Sequence, residues 1–320
     1  MGSGLQDVDG LKNSSYFLSE SARYIKGEIT LDELDRIISS YYESKKGVAD
    51  RSDEADKVSV RIARIISEDS FTFTVGQLLS IHRNLFEGIL QHAGELRTYN
   101  FSKKEWVLNV ASVIYGDYRE LEPTLQYDFE QEKKFRYASL SMDETIEHLA
   151  LFVANLWQIH AFEEGNTRAV AVFFVKYLRS LCFDVTNDTF ANNSWFFRNS
   201  LVRANYTNIQ EGVYGDRSFL VLFLRNLLLN EQNVLKNRFL RVASAQGETI
   251  SSKESDVLTL IKANPSITSA ELAKKLGISL RTIKSVLKTL VDKKTIKRIN
   301  GRRYGHWESI IEQDIVSKKR

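Results

Sequence analysis

Pro123 and Pro265 are the only prolines in 320 residues, and that scarcity constrains the fold more than any other feature of the chain. Proline removes a backbone donor and breaks helix interiors, so a long chain nearly without it has room for many uninterrupted helices. Four capping-box patterns mark where some of them begin: Thr30 with Glu33, Thr74 with Gln77, Ser141 with Glu144, and Thr268 with Glu271. In each, a hydroxyl accepts from an orphan N–H of the first turn while the acid or amide reaches back. All four precede apolar residues at helical spacing.

After Thr30, Leu31, Leu34, Ile37, Ile38 and Tyr41 predict a short amphipathic helix, and residues 45–57, charged and small, read as a linker. After Thr74, Leu78, Leu79, Ile81, Leu85, Phe86 and Ile89 predict a helix ending near Ala93-Gly94. Ile146, Leu149, Ala150, Val153, Leu156 and Trp157 predict another, stopping at His160. From Val170 to Leu181 nearly every residue is apolar, as in a helix buried on most sides. Further helices are expected over 193–206 and 218–229. One stretch breaks the pattern: residues 106–115, rich in Val, Ile and aromatics, predict a short β-hairpin. The fold class is therefore mainly α.

With 43% hydrophobic and 27% charged residues the chain is globular rather than disordered. Its length suits two or three domains, expected here as an N-terminal helical segment and linker over 1–56, a main domain over 57–243 and a tail domain over 250–310. No apolar run is long enough to cross a membrane. The segment Met1-Gly2-Ser3-Gly4 lacks the basic-then-apolar pattern of a secretory signal. The single Cys182 excludes a disulfide framework or a cysteine-rich zinc module. A cytoplasmic location is expected, with no membrane partner.

Charge is unevenly spread. Residues 251–320 hold 16 Lys and Arg against 7 Asp and Glu, a net of +9; the rest holds 28 against 34, a net of −6. An acidic body with a basic tail places any anionic polymer at the tail. Val257, Leu258, Leu260 and Ile261 predict a first tail helix, residues 270–276 a second ended by Gly277, and residues 280–291 a third. Residues 295–299 and 303–307 then flank Asn300-Gly301, a strong hairpin signal. Three helices and a hairpin resemble a winged helix-turn-helix. Ser279, Arg281, Thr282, Lys284, Ser285 and Lys288 fall on its recognition helix, and Lys297, Arg298, Arg302 and Arg303 on its wing. DNA is the expected partner; the other reading is a protein-docking or dimerising module with a solvated basic face.

The polar segment His160-Ala161-Phe162-Glu163-Glu164-Gly165-Asn166-Thr167-Arg168 joins two apolar helices. Free N–H groups of the helix that opens near Gly165-Asn166, and its dipole, favour an anion there. Arg168 in the first turn can add a charge-assisted bond. Glu164 is an oxygen ligand of the kind that, with nucleotide oxygens, holds magnesium. His160 is a titratable base within reach of the same spot. Base, metal carboxylate and anion hole in nine residues suit attack by a hydroxyl on a phosphoryl group.

These residues resemble the signature of the Fic family, H-x-F-x-[D/E]-G-N-x-R, and the likeness extends upstream through residues 81–86 and 93–97 and covers roughly residues 74–230. The resemblance implies a helical Fic core with a short β-hairpin flap and transfer of AMP from ATP, or another nucleoside triphosphate, to a protein hydroxyl with Mg2+. It makes His160 the general base, Phe162 a core anchor and Glu164 the metal ligand. Gly165, Asn166, Thr167 and Arg168 become the phosphate-binding segment, and 106–115 the flap on which a target protein docks by strand addition. The chain is also compatible with a homodimer.

Two positions depart from the pattern. Position 167 is Thr, where AMP-transferring members have Gly and the Doc kinase toxins Lys, which keeps Doc-like phosphate transfer open. Ala171 stands where a second arginine would clamp the terminal phosphate, which leaves the nucleotide donor open. The rival from another class is a DNA-binding transcription regulator whose Fic body is a sensor or scaffold. Many relatives are held off by an S/T-x-x-x-E-G/N helix, and the literal match is Thr207-Asn208-Ile209-Gln210-Glu211-Gly212; Ser39 with Glu43 is incomplete. Residues 24–30 vaguely resemble antitoxin-like modules. His82, His92, His148 and His306 lack comparable company and read as core or surface histidines.

Overall fold

A computed structural model describes residues 4–6, 10–44, 51–186, 188–242, 252–292, 295–299 and 305–309. The chain divides into two compact units, Met1–Val242 and Ala243–Arg320.

The first unit is helical. Helices α1 (Ser15–Ile25) and α2 (Leu31–Ser44) form a small cluster with α3 (Ser52–Ser67) through Phe17, Leu34, Ile38 and Val60. Asp56 on α3, fully buried, accepts from Asn13 Nδ2, the Ser14 N–H and hydroxyl, and Tyr42 Oη, which ties the start of α1 and the end of α2 to α3. The linker expected over 45–57 therefore stops short: from Ser52 the chain is helix, with Val58, Ile62 and Ile65 turned inward. Its remainder, 45–50, lies outside the described residues.

Helix α4 (Val75–Phe86) begins where Thr74 caps it, but ends earlier than the apolar run predicts. Glu87 turns extended and Gly88 takes φ +72°, while Arg61 Nη1 collects the freed carbonyls of Leu85 and Glu87. Helix α5 (Leu121–Lys134) tolerates Pro123 in its first turn, where no intrahelical donor is needed. Helices α6 (Met142–Ile159) and α7 (Asn166–Ser180) form the centre, and α7 is buried from Asn166 through Leu178. Helix α8 (Asp188–Ala204) starts earlier than expected and kinks at Asn193, whose side chain bonds the Thr189 carbonyl. Helix α9 (Ser218–Leu229) matches its expected bounds.

The hairpin predicted over 106–115 is not a ladder. A single antiparallel bridge, Lys104 to Ser112, closes a loop that holds a 3₁₀ turn, Trp106–Leu108. Strand pairing would need alternating burial, yet Val107 and Leu108 are both buried, and Asn109 and Val110 take left-handed φ of 52° and 67°.

The second unit has α10 (Ser252–Ala263), α11 (Ser269–Leu276), α12 (Leu280–Asp292) and an antiparallel pair, β1 (Ile296–Ile299) and β2 (His306–Ser309), in register Ile296 to Ser309. The capping box of Thr268 and Glu271 starts α11, and Gly277 at φ +64° ends it. Val257, Ile261, Leu272, Ile283, Leu287, Leu290 and Trp307 form its core. The Asn300-Gly301 turn and Arg302-Arg303 lie outside the described residues.

Candidate active site and nucleic-acid interface

The segment 160–168 is folded by its own side chains. The Asn166 amide closes the loop on itself: Oδ1 accepts from the Phe162 N–H at 2.9 Å and Nδ2 donates to the Phe162 carbonyl at 2.6 Å. Phe162 stacks on the His82 ring, centroids 3.7 Å apart. His82 Nδ1 accepts from the Gly94 N–H at 2.8 Å, so its Nε2 donates to the Glu164 carbonyl at 3.0 Å. Gly165 takes φ +74°, and a Cβ there would stand 2.5 Å from the Phe86 ring, so no larger residue fits. From this N-cap α7 starts, and its first N–H groups have no intrahelical acceptor.

His160 caps α6 in the left-handed region at φ 51°. Arg97 holds the turn from behind: Nε donates to the His160 carbonyl at 2.7 Å, and Nη2 to the Gly116 carbonyl. The imidazole lies flat on Tyr115 at 3.8 Å, with Phe101 and Trp157 edge-on. Its Nδ1 faces the Trp157 carbonyl at 3.4 Å, which assigns the proton to Nδ1 and the free lone pair to Nε2. Burial lowers its pKa to about 3, helped by the positive Lys103, Arg198 and Arg97, so the ring is neutral at pH 7. His82 is lowered to about 4, chiefly by burial.

These two histidines set an acid dependence of stability. Each folded pKa lies below the unfolded value near 6.5, so the unfolded chain binds more protons and stability falls as pH drops below 6.5. Urea unfolding between pH 6.5 and 5, above the carboxylate range, is expected to lose up to about 1.4 kcal/mol per pH unit for each histidine. A flat profile there would mean both rings protonate in the folded state.

His160, Glu163, Glu164, Gly165, Asn166 and Thr167 line one pocket of about 250 Å³, closed by Phe101, Ser102, Lys103 and Arg198. Arg198 makes a bidentate pair with Glu105 at 2.7 and 2.8 Å, both buried. The structure thus brings the expected base, the expected metal carboxylate and the N-terminus of α7 together. It directs two other expected ligands elsewhere. Thr167 Oγ1 accepts from Trp157 Nε1 at 3.0 Å inside the core. Arg168 is fully buried, its guanidinium 4.6 Å from the Phe86 ring centroid, with Nη1 on Gln6 Oε1 at 3.0 Å and Nη2 on Glu54 Oε1 at 2.9 Å. Arg51 then joins Glu54 Oε2 at 2.9 Å to Glu164 Oε1 at 3.1 Å. Ala171 is buried within α7.

The charge chain Arg168–Glu54–Arg51–Glu164 was invisible to pattern reading, because Asp50 stands four residues before Glu54 where the inhibitory pattern needs Ser or Thr. The literal match at 207–212 is a 3₁₀ turn, Ile209–Glu211, with Glu211 exposed, and not a helix. Among the described residues no group of three His, Cys, Asp or Glu is placed to hold a metal. The single Glu164 carboxylate, about half exposed, suits an ion that brings nucleotide oxygens with it.

The Fic/DOC family pattern matches residues 72–178. The chain carries a Fic/DOC family domain. A second family pattern, winged helix-turn-helix DNA-binding, matches residues 251–297. No curated protein matches. The chain is similar to the BepC protein of Bartonella tribocorum, a VirB-translocated effector solved with bound AMPPNP. That pair shares 16% identity over 57% of this chain and 90% of that one, with a TM-score of 0.43. A Fic family protein of Desulfovibrio desulfuricans G20 is 13% identical over 96% of this chain and 86% of its own, with a TM-score of 0.44. The described part of the Fic domain and its neighbours has no helix long and apolar enough to cross a membrane.

In the winged helix, Arg281, Lys284, Ser285 and Lys288 share one exposed face of α12, while Ser279 Oγ accepts from the Thr282 N–H and serves the helix start. Lys284, Lys288 and Arg298 border a groove of about 650 Å³ beside Leu287, Val291 and Trp307. Arg298 lies over the Trp307 ring at 4.9 Å, and Lys297 pairs with Glu308 at 2.8 Å.

Proposed function

We propose that the Fic domain transfers AMP from ATP–Mg to a hydroxyl side chain of a target protein. The observation that carries this reading is the shared pocket: a neutral His160 with Nε2 free to accept stands beside the N-terminus of α7. The α-phosphate would sit on the first N–H groups of α7. His160 Nε2 takes the proton of the target hydroxyl, whose oxygen bonds the α-phosphorus while the bond to the β-phosphate oxygen breaks and diphosphate leaves. Magnesium, held by Glu164 and nucleotide oxygens, would neutralise charge on the phosphates. The loop over 104–112, with Ile114 exposed beyond it, is the surface offered to the target.

The test compares ATP labelled at the α-phosphate with ATP labelled at the γ-phosphate, each with magnesium and cell lysate. Protein label from the α position alone supports AMP transfer. Label from the γ position means Doc-like phosphate transfer, and label from neither favours another nucleotide donor or the regulator. That last reading draws on a specific observation, since Arg168 and Glu164 are both already paired.

The winged helix is proposed to bind DNA through phosphates met by Lys284, Lys288 and Arg298. Lys288→Ala is expected to weaken binding evenly across sequences and to reduce the slope of log K against log salt by about 1. An unchanged slope in a fluorescence titration would remove Lys288 from the interface.

A further inference from the structure

We propose that Thr167 is a positioning residue for His160: its hydroxyl holds the Trp157 indole and so locks the turn that carries the base to the first turn of α7. The inference rests on the transfer reading above. Thr167 Oγ1 accepts from Trp157 Nε1 at 3.0 Å, and both side chains are buried. Trp157 in turn touches the base three ways. Its carbonyl accepts from the His160 backbone N–H at 3.1 Å and faces Nδ1 at 3.4 Å, and its indole stands edge-on to the imidazole at 5.2 Å. Tyr115 closes the opposite side, flat on His160 at 3.8 Å and edge-on to Trp157 at 5.8 Å.

The base is carried by the end of α6, whereas the anion hole is the start of α7. Their distance and angle decide whether His160 Nε2 can meet a hydroxyl attacking a phosphorus seated on α7. The loop between them is closed on itself by Asn166, and the Thr167–Trp157 bond joins the two helix ends directly across it. The Thr167 hydroxyl is thereby engaged away from the pocket, so any phosphate contact of this residue is left to its backbone N–H. Valine at 167 keeps the shape but removes the acceptor, leaving a buried indole N–H without a partner and the indole free to shift. Serine keeps the acceptor.

The experiment measures Thr167→Val and Thr167→Ser in the full chain, at a temperature where circular dichroism shows each folded. Affinity is read by calorimetry with a non-hydrolysable ATP analogue and magnesium, and turnover with α-labelled ATP. Thr167→Val is expected to lower kcat about 10- to 100-fold and to leave analogue affinity within about twofold. Thr167→Ser is expected to restore most of the rate. Unchanged kcat in Thr167→Val, a loss confined to analogue affinity, or a serine variant as slow as the valine one would each overturn the proposal. A readout independent of transfer is the NMR signature of the His160 ring, expected to move in Thr167→Val and to return in Thr167→Ser. If the parent transfers nothing, the transfer reading fails alone, and unmoved His160 resonances in Thr167→Val would then overturn the positioning role.

Discussion

His160→Ala is expected to abolish detectable transfer of α-labelled AMP, a loss of about 10²- to 10⁴-fold, while nucleotide binding stays close to that of the parent. The imidazole presents an Nε2 lone pair to the pocket, because burial keeps the ring uncharged and the Trp157 carbonyl holds Nδ1–H. The phosphate seat proposed above is backbone at the start of α7 and would not depend on that ring. Calorimetry with an ATP analogue separates the two effects. Equal transfer by variant and parent would remove His160 from the chemistry.

Glu54→Ala is expected to act in the opposite direction. In the parent, Glu54 holds the buried Arg168 on one side and Arg51 on the other, and Arg51 holds the Glu164 carboxylate. In the proposed binding mode, phosphate and magnesium would therefore compete with these protein partners. Without ligand, the variant removes one charge-assisted bond from the buried Arg168 guanidinium, a loss of about 1.5–3 kcal/mol in stability. In the binding mode proposed above, Arg168 released from Glu54 would turn to a phosphate once nucleotide is added. A charge-assisted bond of about 1.5–3 kcal/mol corresponds to affinity raised about 10- to 100-fold. The signature is a lower Tm without ligand and a larger Tm rise on adding ATP–Mg. A variant binding no more tightly than the parent would make the Glu54 pair a scaffold contact only.

Helices with a local cause were legible before any coordinates. The capping boxes at Thr30, Ser141 and Thr268 form with both hydrogen bonds, because a box is written within four residues. At Thr74 only the cap forms; Gln77 turns instead to the Thr72 hydroxyl. Helices α3 and α5 were missed, as was the shorter α1. The first is charged at its start and buries Glu54 and Asp56 on partners far along the chain, and the second has a mixed charged surface and a proline in its first turn. The hairpin over 106–115 failed because β-branched and aromatic residues there pack as a compact loop with two left-handed residues, a choice made by neighbours rather than by propensity.

The candidate site divides along the same line. The nine residues from His160 to Arg168 declared a base, a carboxylate and a helix start, because helix ends, glycine freedom and dipole direction are properties of adjacent residues. What each side chain meets was decided by packing. Arg168 finds Glu54 across 114 residues and Gln6 across 162, Thr167 turns inward to Trp157, and His160 is buried beneath Tyr115. Desolvation and ion pairing depend on which surfaces the whole chain brings together, and no local spacing encodes that. The chemistry available to this protein is thus written in one short segment, and whether that chemistry is open or closed is a property of the folded body around it.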